Sequence, residues 1–199
     1  MRVLLAATTT LALLLASCGP LVQIGGGADA PDSLLTVESS ATAPATTTGD
    51  PVLFALPDVP GKLQTLRLPV STGASEVQYL AGATWIEQPN RLFQRILADQ
   101  FEASTGTPAI DEGNIDLAPA ARISGTLMEF GLDVTGQPQV VVRYDAVMSR
   151  TGQGFAGARR FEAMEPVAAQ SGPAVAAALG RAANRVAAEV ATWAAGNQG

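Results

Sequence analysis

The chain has 199 residues, with 12 basic and 18 acidic side chains, one cysteine and no histidine. A formal charge of −6 speaks against a nucleic-acid partner, which needs a basic patch, and against electrostatic adhesion to anionic lipid heads. Without histidine there is no Ser-His-Asp catalysis, and a single cysteine leaves no internal disulfide.

Residues 1–17 read as a signal peptide. Arg2 gives a short positive start, Val3–Leu15 is apolar apart from three threonines, and Ala16-Ser17 supplies small residues. The apolar run falls short of the roughly 20 residues that a spanning helix needs. It ends in Leu15-Ala16-Ser17-Cys18, which resembles the bacterial lipobox. The resemblance implies cleavage before Cys18, a diacylglycerol on its sulfur and a third acyl chain on its new amine, an anchor far firmer than one chain. The other roles for Cys18 fit poorly, since a catalytic thiol needs a base that the chain does not offer. Removal of residues 1–17 takes Arg2 away and leaves 182 residues with 11 basic and 18 acidic side chains, a charge of −7.

Residues 18–33 are rich in Gly, Pro and Ala and read as a flexible tether from Cys18; residues 34–199 read as one domain. Residues 34–39, LLTVES, suit a short strand, and 40–51 a loop of low complexity. Alternation over 61–70 predicts a half-buried strand with Leu66, Leu68 and Val70 inward and Pro69 at an edge or strand end. Residues 76–89 suit a hairpin or irregular pair broken at Gly82, and Asn90 suits a helix N-cap. The helix over 91–104 places Leu92, Phe93, Ile96, Leu97 and Phe101 on one face, and Gly106 and Pro108 end it.

Three strands follow, over 121–134, 138–149 and 155–164. In the second, Val140, Val142, Tyr144, Ala146 and Met148 share one face and Arg143 and Asp145 the other. Arg159 and Arg160 suit one residue on each sheet face near an edge better than an anion site. The last element is a long helix that Ser171 caps, with Pro173 in its first turn. Val175, Leu179, Ala182, Val186, Val190 and Trp193 form its apolar stripe, and its alanine-rich face suits a homo-oligomer as well as the sheet. The fold class is α+β: an antiparallel sheet with two main helices on one face.

Little chemistry is on offer. No nucleotide-binding glycine motif follows a strand, and Asp111, Glu112 and Asp116 lack the calcium-loop pattern and suit a solvated loop. The residues favour no enzyme, no cofactor and no metal, and point to a tethered binding or scaffolding domain. Tyr79, Trp85, Pro89 and Phe93 are the candidate contacts with partner or cargo, their other role being the core.

Glu76, Tyr79, Trp85, Pro89, Leu92 and Ile96, within VQYLAGATWIEQPNRLFQRILADQFEASTG and its preceding residue, resemble the signature of the ABC-type transport auxiliary lipoproteins, the PqiC/YmbA-like group. VVVRYDAVMSRTGQGFAGARRFEAMEP (140–166) is similar to the family's strand pair and the run Val186–Trp193 to its closing helix. The resemblance implies a lipid-anchored periplasmic subunit of an MCE/ABC-type system that moves lipids between membranes. It implies an MCE-domain protein as partner, lipid as cargo and no hydrolysis. Gly19 after Cys18, where aspartate would retain a lipoprotein at the inner membrane, favours the outer membrane. The alternative is a stand-alone lipoprotein that supports outer-membrane or envelope assembly.

Overall fold

A computed structural model describes residues 33–42, 44–113 and 117–197. The signal segment, Cys18 and nearly all of the tether lie outside these residues. The described part holds seven strands and two helices: β1 (Val52–Phe54), β2 (Arg67–Gly73), β3 (Glu76–Thr84), α1 (Pro89–Thr105), β4 (Ala109–Ile110), β5 (Ala121–Asp133), β6 (Gln139–Arg150), β7 (Gly154–Pro166) and α2 (Gly172–Gly196). The α+β class holds, with the two helices packed together and α2 laid on β6 and β7.

The sheet is mixed, however. β5, β6 and β7 form the expected antiparallel meander, in register from Ala121↔Arg150 to Asp133↔Gln139 and from Gln139↔Pro166 to Arg150↔Gly154. The other edge of β5 is shared: β1 pairs with its start and β2 with its end, both parallel, and a parallel bridge joins Asp58 to Thr126 between them. β1 also pairs parallel with β4. Alternation along a strand reports which face is buried and is blind to the direction of the neighbouring strand.

Alternation and helical spacing predict the core well. Val140, Val142, Tyr144, Ala146 and Met148 are all buried, as is the α1 face of Leu92, Phe93, Ile96, Leu97 and Phe101. Each such large apolar side chain contributes about 1.5–3 kcal/mol. α1 closes at Gly106, whose φ of 67° forms a left-handed cap that L side chains disfavour. On α2 the stripe from Val175 to Val190 is buried, and Trp193 packs edge-on against Phe161 with centroids 5.7 Å apart. Ser171 is the residue that caps α2, although its carbonyl rather than its side chain accepts the bond, from the Val175 N–H.

Five expectations change. Residues 76–84 run through Gly82 as one strand, β3, which pairs with β2. Gly61–Leu63 is a 3-10 turn, so the strand begins only at Arg67; Leu68 and Val70 point inward while Leu66 is exposed. The strand expected over 34–39 reduces to one bridge, Leu35 with Trp85, because the segment turns its side chains into the helix layer as a strap. Leu35 and Val37 are buried, and Asn184 of α2 clamps the segment. Its Nδ2 donates to the Glu38 carbonyl (2.9 Å), and its Oδ1 accepts from the Ser40 N–H (2.7 Å) and from Gln100 of α1 (2.9 Å). Asn90 is not the cap of α1, which starts two residues earlier, at Pro89, with Gln88 in the cap position. Asn90 is buried, and its amide donates to the Pro57 carbonyl at 3.1 Å, tying the helix start to the chain that follows β1. Pro69 lies not at an outer edge but at a bulge where β2 meets β3 and approaches Gly131 of β5.

Candidate interaction surface

The Tyr79-to-Phe93 run is brought together by β3 leading through a short connection into α1. The structure divides its members. Trp85 is fully buried, edge-on to Phe130 with centroids 5.7 Å apart. Phe93 is fully buried against Tyr144 at 5.3 Å, and Pro89 opens α1 from within the core. Only Tyr79 reaches the surface. Its ring carries the guanidinium of Arg67 at 4.3 Å, and its hydroxyl lies 3.4 Å from the Lys62 carbonyl.

Trp85 Nε1 and Tyr144 Oη are buried without a hydrogen-bond partner among the described residues. Burial, with Asp58 second, pushes the Tyr144 hydroxyl well above its ordinary pKa. A phenol held neutral and unpartnered in an apolar core is no acid or base for a substrate.

The face of the sheet away from the helices is a charge ladder. Lys62 pairs with Glu129 at 2.5 Å, and Arg143 bonds Glu162. Arg160 forks onto Asp145 at 2.6 and 2.7 Å, holding the Asp145 carboxyl below its ordinary pKa. Arg159 lies over Phe161 on the other face, 4.8 Å from the ring, so the adjacent arginines do divide between the two faces. The cationic groups of this ladder are matched by carboxylates, which leaves little for an anion to bind. Glu112 accepts from the Leu56 N–H and pairs with Arg122; Asp116 lies outside the described residues. Among the described residues no three His, Cys, Asp or Glu side chains are grouped to hold a metal ion.

A family model described as the ABC-type transport auxiliary lipoprotein component matches residues 33–191. The chain belongs to this family. Membership makes it an auxiliary component of ABC-type transport and a lipoprotein of the cell envelope. Among the described residues no helix is long and apolar enough to cross a membrane.

Solved structures share the auxiliary lipoprotein's fold. A protein from Xanthomonas campestris superposes with a TM-score of 0.72 at 20% identity, over 81% of this chain and 94% of that one. An uncharacterised protein gives 0.62 at 13% identity, over 79% and 99%. A hypothetical protein from Chlamydia trachomatis gives 0.52 at 9%, over 75% and 98%. At these identities the likeness is of fold alone. No curated protein matches the sequence.

Sequence reasoning missed two features of this surface. Arg67 falls on the outward phase of the 61–70 alternation, which gives no sign that it stacks on Tyr79. Asn184 sits in an alanine-rich helix with no local sign that it clamps a segment 144 residues away; only the anomaly of a polar amide beside the apolar stripe hints at it.

Proposed function

We propose that the chain is the lipid-anchored periplasmic subunit of an MCE/ABC-type system that moves lipids or other hydrophobic molecules between the membranes of the envelope. It docks the periplasmic MCE-domain protein, or passes cargo on from it. The match to the transport auxiliary lipoprotein family over residues 33–191 carries this reading. Cys18 bears the lipid, residues 1–17 are removed, and the domain hangs on the spacer that follows. Gly19 directs the anchor to the outer membrane. Tyr79 and the Arg67 stacked on it form the part of the family-like run that a partner can reach, while Trp85, Pro89 and Phe93 hold that run in place from the core.

The test is crosslinking followed by purification of the full-length protein from its own envelope. An MCE-domain protein, with the ABC ATPase and permease encoded nearby, is the expected company. A clean preparation that holds envelope-assembly proteins and no MCE or ABC component would replace this reading with that of a stand-alone lipoprotein.

A further inference from the structure

Three exposed apolar residues stand on neighbouring segments where the N-terminal strap enters the domain: Leu34 (52% exposed), Leu66 (41%) and Ile86 (57%). Backbone bonds set them on three adjacent segments. Leu35 donates to the Thr84 carbonyl (2.8 Å) and accepts from Ile86 (2.9 Å), while Trp85 donates to the Leu66 carbonyl (2.7 Å). The adjoining positions carry interfacial chemistry. Arg67 follows Leu66 and stacks on Tyr79, with no carboxylate in ion-pair reach among the described residues. The acidic neighbour of Ile86, Glu87, is taken up by Arg95. An apolar centre rimmed by tyrosine and a free arginine suits the boundary between acyl chains and phosphate headgroups.

What covers the patch follows from the chain itself. Ser33 begins the strap, and Cys18 lies only fifteen residues upstream. On the reading of residues 18–33 as a tether, a spacer of that length has a root-mean-square span of roughly 20 Å, and a lipid on Cys18 then keeps the strap end close to a bilayer. We infer that the Leu34–Leu66–Ile86 patch rests on the phospholipid surface and orients the domain on it, so that Arg67 and Tyr79 at its rim stand at the membrane margin, where a partner still reaches them. This rests on the reading of Cys18 as lipidated. The net negative charge of the chain opposes the contact over most of its surface, whereas at this end apolar area coincides with a cation that has no ion-pair partner among the described residues.

The test uses the full-length lipidated protein in vesicles of phosphatidylethanolamine and phosphatidylglycerol that contain nitroxide-labelled lipid. An environment-sensitive fluorophore is placed on Ile86→Cys, on Leu34→Cys as a second reporter, and on Glu189→Cys as control. Gly172, at the start of α2, lies beside Leu35, so Glu189 sits roughly 25 Å along the helix from the patch. Quenching about threefold stronger at 86 and 34 than at 189 is expected for side chains at the headgroup boundary. Equal quenching at all three sites overturns the inference. So does protection of 86 by an added MCE-domain protein on vesicles that leave it unquenched, since the patch would then belong to a protein. Mass spectrometry of the same preparation reads Cys18 separately. Unmodified Cys18 overturns the anchor and the inference together, whereas acylated Cys18 with unquenched 86 overturns the inference alone.

Discussion

Gly125 lies in the middle of β5, opposite Ala146 of β6, with a φ of 153° that L side chains rarely adopt. Its other edge is occupied too, since its carbonyl accepts from the Asp58 N–H at 2.9 Å. A Cβ at this position would stand 2.0 Å from the Asp145 carbonyl oxygen and 3.0 Å from the Ala146 Cα, and real Cβ atoms essentially never come within 3.0 Å. β6 must therefore move by about 1 Å, yet it is held on its far side by the full length of β7. The backbone strain costs about 1–3 kcal/mol and the forced displacement a similar amount. Gly125→Ala is thus expected to remove about 2–6 kcal/mol of the roughly 5–15 available to a domain. In a chain of this size that lowers the melting temperature by roughly 10 °C. Urea titration and thermal melting by circular dichroism, on the domain without its lipid, give the value. A loss of under about 0.5 kcal/mol, the range of neutral surface changes, would refute the packing of β5 between β6 and the Asp58 segment.

Four further outcomes follow from the same structure. Trp85→Ala, at a fully buried ring, is expected to cost about 3–5 kcal/mol in urea denaturation, whereas Tyr79→Ala stays within about 1 kcal/mol and weakens partner capture instead. Asn90→Ala leaves the buried-side Pro57 carbonyl without its donor and is expected to cost about 1–3 kcal/mol, again by urea titration. Burial first, and the Glu102 carboxylate second, raise the Asp99 carboxyl above its ordinary pKa. A raised carboxyl stabilises the fold below its unfolded pKa and loses that contribution as pH rises through the folded one. Asp99→Asn therefore stabilises the protein at neutral pH, and the gain fades below about pH 4; melts at both ends of this range check it. Cys18→Ala is expected to move the protein from the membrane fraction to the soluble periplasm, read by fractionation.

The sequence was most legible where one periodicity ran unbroken. The 140–148 alternation located the core face of β6, and the spacing from Leu92 to Phe101 located that of α1, because burial on one side leaves its period in the residues. It was least legible where tertiary bonds replace local ones. Asn90 has the chemistry of a cap, but tertiary burial turned its amide toward Pro57. Leu35 and Val37 alternate as a strand would, yet they serve as wedges under Asn184 rather than as a ladder. The parallel pairing of β1 and β2 with β5 has no local signal, since more than 50 residues separate β2 from its partner positions. For the candidate site, residue type marked Tyr79, Trp85, Pro89 and Phe93 alike; only burial separates the one that meets solvent from the three that support it.

The most direct measurement is site-specific photo-crosslinking in living cells from a benzoylphenylalanine at position 79 of the lipidated, full-length chain. An adduct that contains an MCE-domain protein, and is lost in the Cys18→Ala background, is the expected result. Adducts only to envelope proteins without MCE or ABC domains, with Cys18 acylated and the domain folded, would contradict the assignment to intermembrane lipid transport.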